Sequence, residues 1–303
     1  MKKPLFLKKF KPNYKTDYGA AYLGDTLELI KSVPDKSISL IMTSPPYGLR
    51  KKKEYGNADP EDYVNWFMPF AEEFKRVLKE NGSFVLNIGG GWEKGKPIRS
   101  LYPFELLIQL CKVFDLAEDF IWHKPAALPT PAEWVTIRRI RVKDAIEYVW
   151  WLSKTPYPKA DNRKVLTPYS ASMKNLLKNG YTAKLRPSGH KISEKFKVDN
   201  KGAIPPNFLS FSNTESNSHY LRMCQQNEIK PHPARFPLKL PEFFINFLTD
   251  KGDIVFDPFA GSNVTGEAAE KLERRWLAFE LKEEYLKGSR FRFNFLQKKL
   301  HTF

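Results

Sequence analysis

Residues 253–280 read DIVFDPFAGSNVTGEAAEKLERRWLAFE, and the succession of residue types in this stretch decides the fold. An apolar run, IVF, stops at Asp257 and Pro258. A glycine-bearing turn follows, then the helix-forming run VTGEAAEKLE, then a second apolar run that ends in Glu280. Strand, turn, helix and strand in that order form half of a nucleotide-binding βαβ unit, whose two strands run parallel because the helix carries the chain back. Glu280 stands 19 residues beyond Gly261. An acid at that distance suits the two hydroxyls of a ribose.

The turn restricts the ligand. A dinucleotide pyrophosphate favours G-x-G-x-x-G, and here Asn263 occupies the second glycine's place. A P-loop needs G-K-[ST], whereas Gly266 is followed by Glu267. Phosphates would also be repelled by Asp257. A zwitterionic sulfonium ligand fits better, with Asp257 facing its ammonium and the helix start at Asn263–Thr265 facing its carboxylate. The residues therefore point to S-adenosylmethionine, held also by Phe259, Gly261, Ser262 and Glu280.

Working outward, the same alternation recurs. Strands are expected near Ala20, over Ser37–Met42 and Phe84–Ile88, and in DFIWHK (119–124), DAIEYVWWLSK (144–154) and RRWLAFEL (274–281). Helices are expected around Asp25–Val33, over Tyr63–Lys79 and Tyr102–Phe114, in PLKLPEFFINFLTD (237–250), and from Glu283 to Leu300. Strands alternating with helices predict an α/β sheet, mostly parallel.

Composition narrows the partners. The 303-residue chain carries 50 Lys and Arg against 34 Asp and Glu, a formal net charge of +16, which favours a polyanion. Residues 154–202 alone hold twelve Lys and Arg against three acids, a net +9. Periodicity fades there, as in a DNA-contacting module set into the α/β domain. Two cysteines make no disulfide framework, and MKKPLFLKKF (1–10) has too short an apolar part for a signal peptide. A cytoplasmic protein without a membrane span is expected. His219, Cys224 and His232 lack metal-ligand spacing, so no metal is expected.

The second motif is TSPPY, residues 43–47, after the apolar strand. Two prolines cannot continue a strand, since each lacks an amide hydrogen and has φ fixed. They end it abruptly and leave carbonyls with no ladder partner.

TSPPY followed far downstream by DPFAGS (257–262) resembles the β-class amino-methyltransferases of DNA, the modification enzymes of restriction systems, in which the catalytic half precedes the cofactor half. YLGDTLELIKSVPDKSISLIMTSPPY (22–47) is similar to that family's opening, KENGSFVLNIGG (79–90) and DFIWHKPAALP (119–129) to its middle strands, and residues 232–270 to its cofactor-binding end. The resemblance implies a Rossmann-like methyltransferase fold with permuted motif order: a catalytic half at 1–153, a target-recognition insert at 154–230 and a cofactor half at 231–303. It adds Asp25, His232 and Phe236 to the cofactor set.

It also gives TSPPY a purpose. An exocyclic amino group is a poor nucleophile because its lone pair is delocalised into the ring. Ser44 and the Pro45 carbonyl can accept its two hydrogens and aim the lone pair at the methyl, and the rigid Pro45–Pro46 pair fixes them. Tyr47 offers a face for a base flipped out of the duplex. Serine at position 44 is the family's usual mark of cytosine-N4 enzymes, a carboxylate that of adenine-N6 enzymes. A hydroxyl can also donate to the acceptor N3 of cytosine. The resemblance thus implies methylation of cytosine N4 in a short duplex sequence, by direct transfer, protecting DNA from a cognate restriction endonuclease, with the protein a monomer or homodimer. Adenine N6 and a non-enzymatic DNA-binding role are the alternatives. Phosphate contacts are expected at Arg50, Lys51, Lys52, Lys124, Arg138 and Arg139, and from Lys174, Lys178, Lys184 and Arg186 in the insert.

Overall fold

The run Ile38–Thr43 (β3) has all six residues buried, which a strand achieves only with neighbours on both sides and cover on both faces. A computed structural model describes residues 4–49, 56, 58–180, 198–213 and 218–293. It divides into two compact units, residues 1–160 with 207–303, and residues 161–206.

In the larger unit nine strands form one sheet. In chain order they are β1 (Tyr14–Lys15), β2 (Gly19–Leu23), β3, β4 (Leu78–Ile88), β5 (Asp115–His123), β6 (Ile146–Ser153), β7 (Phe208–Ser210), β8 (Ile254–Asp257) and β9 (Arg275–Glu280). Their order across the sheet is β1-β2-β9-β8-β3-β4-β6-β5-β7. The pairs β2–β9, β9–β8, β8–β3, β3–β4 and β5–β7 are parallel. The mostly parallel α/β sheet is as the sequence predicts, with antiparallel pairing confined to β1–β2 and to β6 between β4 and β5.

Alternation along β3 sends Ile41 to one face with Phe67, Phe74 and Phe84, and Leu40 and Met42 to the other with Phe244 and Val255. Helices α1 (Thr26–Leu29), α2 (Tyr63–Val77) and α3 (Tyr102–Leu110) supply residues to the first face. α6 (Lys239–Leu248), α7 (Val264–Lys271) and α8 (Glu283–Ser289) supply the second. Because α2 follows β3 on one face and α7 follows β8 on the other, the chain leaves these two adjacent strands in opposite directions. A crevice opens between their carboxyl ends, where open α/β sheets hold ligands.

Three expectations are corrected. The strand expected over Phe84–Ile88 starts earlier, since β4 begins at Leu78. The partner register jumps from Ile38↔Leu78 to Leu40↔Ser83, so Lys79–Gly82 loop out as a bulge within the strand. The helix read as Tyr102–Phe114 stops at Leu110. The part of the expected insert following Pro206, for which no element is expected, contains β7 and α5 (His219–Gln226), in which Tyr220 and Cys224 are buried one turn apart.

The smaller unit holds α4 (Ala171–Asn179), whose amino end is capped by Ser170 accepting from the Met173 amide at 3.2 Å. α4 buries no side chain, and Lys174 and Lys178 are exposed. Arg50, Lys51, Lys52, Lys184 and Arg186, and the predicted continuation of the last helix to Leu300, lie outside the described residues.

Candidate active site

Three strand ends converge. β3 delivers TSPPY, β8 delivers Asp257, and β9 delivers Glu280. One cavity of about 610 Å³ is lined by Ser44, Pro45, Pro46 and Tyr47 together with Asp257, Phe259, Gly261, Ser262 and Glu280, and by Asp25, His232 and Phe236. Two motifs more than 200 residues apart in the chain thus share one space.

At the cofactor end, Glu280 Oε2 accepts from the Gly261 amide and Oε1 from the Lys282 amide, each at 2.8 Å. One acceptor position on each oxygen is thereby used, leaving capacity for a pair of vicinal hydroxyls. Burial raises the Glu280 pKa. Gly261 has φ +51°, and a Cβ there would lie 3.1 Å from the His232 ring. Both facts favour glycine: the left-handed φ strains an ordinary side chain, and the His232 ring would have to give way by a few tenths of an ångström. Burial holds the His232 pKa down at about 4, so its ring is neutral at neutral pH. Asp257 accepts from the Thr43 hydroxyl at 2.6 Å and the Phe259 amide at 3.1 Å, and burial pushes its pKa up to about 6.

Asn263 does not line this cavity. It sits at φ 55°, ψ 46°, left-handed as a glycine would be, and its side chain accepts from the Gly266 amide at 3.0 Å, capping α7. Behind the loop, Arg292 donates to the Ser262 carbonyl at 2.6 Å and hydroxyl at 3.0 Å and pairs with Glu267 at 2.7 Å. The guanidinium lies over the Tyr220 ring, so α5 and the end of the chain's last described turn brace the cofactor loop from outside.

At the other end, Tyr63 donates to the Pro46 carbonyl at 2.8 Å, which fixes the proline pair. No hydrogen bond among the described residues engages the Pro45 carbonyl. Ser44 Oγ donates to the Tyr47 hydroxyl at 3.1 Å, and Tyr47 donates to Glu147 Oε2 at 2.7 Å. The Asn87 amide nitrogen lies within 3.2 Å of Ser44 Oγ, 2.9 Å of the Tyr47 hydroxyl and 2.8 Å of Glu147 Oε2. Lys124 completes the cluster with its ammonium 2.7 Å from Glu147 Oε1. Burial, then the Glu147 charge, raises the Tyr47 pKa well above its usual range. The Tyr47 ring packs over Gly89, where a Cβ would come within 2.5 Å of it. The Ser44 hydrogen is directed at Tyr47 here.

Sequence reading missed Asn87 and Glu147. A signal was present: each is a polar residue inside an otherwise apolar strand, FVLNI and IEYVWW, and a buried polar side chain there demands partners. Lys124, expected to contact phosphate, pairs with Glu147 beside Tyr47. Arg138 and Arg139 are exposed on a loop, the former over the Trp134 ring and paired with Glu133. Cys111 is exposed and Cys224 buried. Among the described residues there is no metal-ligating cluster and no helix long and apolar enough to cross a membrane.

The family model for DNA methylases matches residues 38–291, from β3 through α8. The chain belongs to the DNA methylase family. The methylase is 54% identical over 288 residues to the Type II methyltransferase M.PvuII of Proteus hauseri, covering 93% of this chain and 86% of that one. A solved structure of PvuII DNA methyltransferase (cytosine-N4-specific) superposes on the methylase with a TM-score of 0.77, at 49% identity, covering 94% and 89% of the two chains. A Thermus thermophilus modification methylase, solved in complex with S-adenosyl-L-methionine, has the same fold at 22% identity and a TM-score of 0.58, covering 93% and 95%.

Proposed function

We propose that the methylase transfers a methyl group from S-adenosylmethionine to N4 of a cytosine flipped out of a short duplex DNA sequence, protecting that sequence from a cognate restriction endonuclease. The observation that carries this is the shared cavity, with TSPPY at one end and the Glu280–Gly261 pair at the other. The high identity to M.PvuII supports it.

The residues present fit the cofactor. Glu280 has acceptor capacity left for the ribose hydroxyls, Gly261 gives a cradle that a Cβ would fill, Phe259 offers an apolar wall, and Asp257 sits where an ammonium needs an anion. When bound, the sulfonium supplies an electrophilic methyl. The protein's part is positioning. With its hydrogen given to Tyr47, Ser44 Oγ presents a lone pair to one amino hydrogen of the base, and the Pro45 carbonyl accepts the other. Both bonds strengthen as the nitrogen becomes tetrahedral. Tyr47, with its ring steadied on Gly89, supplies the stacking surface. The basic insert at 154–230, including Lys174 and Lys178, and the Arg138–Arg139 loop hold the duplex by its phosphates. Methylating plasmid DNA with the pure protein and sequencing it by a method that separates N4-methylcytosine from N6-methyladenine tests the reading. N4-methylcytosine at one recurring sequence is expected, and N6-methyladenine there would overturn the base assignment.

A further inference from the structure

As the amino nitrogen takes the methyl it becomes positively charged and holds one hydrogen too many. That proton needs an acceptor at the end of the cavity where Ser44 and Tyr47 stand. Of the two acceptors presented to the nitrogen, Ser44 Oγ is the one that can pass a proton on: its own hydrogen already points to the Tyr47 hydroxyl, whose hydrogen points to Glu147 Oε2. The three oxygens form a directed chain with spacings of 3.1 and 2.7 Å. It runs from the reacting centre to a carboxylate on β6 whose side chain is 14% exposed.

We infer that Ser44, Tyr47 and Glu147 form a proton relay that takes the surplus proton from the methylated nitrogen to the Glu147 carboxylate, an inference that rests on the function proposed above. As the nitrogen–carbon bond forms, the carbon–sulfur bond of the donor breaks and its electron pair leaves on the thioether sulfur. In the same transition state the nitrogen gives its proton to Ser44 Oγ. Ser44 passes its own hydrogen to Tyr47, and Tyr47 passes its hydrogen to Glu147 Oε2. The base ends neutral and Glu147 ends as the acid, which later exchanges with solvent.

Two neighbours hold the relay in line without joining it. An amide is not basic, so Asn87 organises: its nitrogen touches all three oxygens. The Asn87 carbonyl oxygen is buried with no partner among the described residues. That cost is tolerable where the amide must point its hydrogens inward. The Lys124 ammonium offsets the carboxylate from the opposite oxygen. A tyrosine serving only as a stacking surface would need none of this, since a phenylalanine would stack as well.

Single-turnover methyl transfer to an oligonucleotide carrying the sequence found in the plasmid experiment tests the relay. Tyr47→Phe keeps the ring and removes the middle oxygen; Glu147→Gln removes the terminal acceptor. Each should slow transfer by about 10²-fold, the scale of a lost proton-transfer catalyst. S-adenosylmethionine affinity by calorimetry and duplex affinity should stay near wild type, and Glu147→Asp should recover part of the rate. The wild-type rate measured in mixtures of light and heavy water should bow with deuterium content, because more than one hydrogen moves together, and the bow should straighten in Glu147→Gln. Full-rate transfer by Tyr47→Phe, or identical isotope profiles in wild type and Glu147→Gln, overturns the relay while leaving the proposed function standing. Absence of N4 methylation by the wild-type chain overturns that function and the relay with it.

Discussion

Glu280 has each oxygen committed to one backbone amide, so replacing it does more than delete a ligand. In Glu280→Gln one of the two amides meets an NH2 group, and the Gly261 turn loosens while the ribose loses its acceptor. S-adenosylmethionine affinity should fall by roughly 1.5–3 kcal/mol, read by calorimetry on the folded variant; unchanged affinity would take Glu280 out of the cofactor site. Ser44→Ala should behave otherwise, lowering turnover by about 10²-fold with cofactor affinity near wild type, because its bond to the base tightens in the transition state. Two buried groups also oppose each other in pH dependence. Unfolded His232 takes up a proton near its usual 6.5, but folded His232 only at about 4, so it withdraws stability as pH falls through that window. Folded Asp257 holds a proton up to about 6 against 3.8 unfolded, so it adds stability over nearly the same range. His232→Asn should therefore gain about 2–3 kcal/mol relative to wild type between neutral pH and about pH 4.5. Urea midpoints at the two pH values measure this, and a constant difference between the proteins would show that His232 titrates freely. Ser44, Tyr47, Asp257 and Glu280 were legible in the sequence because each sits in a motif. Glu147 was not, because one acid in an apolar strand reveals its role only when β4 brings Asn87 beside it.

The helix α7 starts on a residue in left-handed conformation, and this ties the loop's shape to one side chain. Asn263→Gly keeps φ 55° without strain but loses the cap, at a cost of a few tenths of a kcal/mol to about 1. Asn263→Ala loses the cap and also holds an alanine in the left-handed region, together costing about 2–3 kcal/mol. Denaturant unfolding should rank the three in that order, and equal stability of the two variants would remove the conformational reason for Asn263. The Arg292 brace acts on the same loop from outside. Arg292→Met strands Glu267, whose side chain is 12% exposed but which keeps Lys271 at 2.7 Å. The loss should be about 3 kcal/mol, partly recovered when Glu267→Gln is added. An undiminished midpoint in the single variant would show that the brace contributes nothing. An element as regular as α2 could be read from apolar spacing alone, and α7 from its helix-forming residues between two apolar runs. The bulge in β4 could not, since only the partner strand reveals that Lys79–Gly82 have no opposite number. Nor could α5, which announces itself by just two buried residues, Tyr220 and Cys224.

Across the whole molecule, charge and strand order carry the remaining consequences. Lys174→Gln with Lys178→Gln should weaken duplex binding and flatten its salt dependence by a log–log slope of roughly 0.9 for each phosphate no longer neutralised, with cofactor affinity as before. Affinity unchanged across several salt concentrations would make α4 a solvated helix. The basic stretch was visible in composition, but where the smaller unit begins and ends was not, because α4 buries nothing and leaves no apolar pattern to read. The strand order was hidden too, since nothing local records that β8, from the far end of the chain, lies against β3. That pairing has a consequence on the ribosome. β3 leaves the exit tunnel with only β4 to follow it closely, and its other edge stays bare until residue 254 has been made, as does β2 until β9 arrives. At elongation rates of roughly 5–20 residues per second, that wait is about 10–40 s. A nascent chain so long unfinished exposes a bare, apolar strand edge of the kind that aggregates. Synthesis of the methylase should accordingly depend on protection of the growing chain, and any message cut short before β8 yields no partial enzyme.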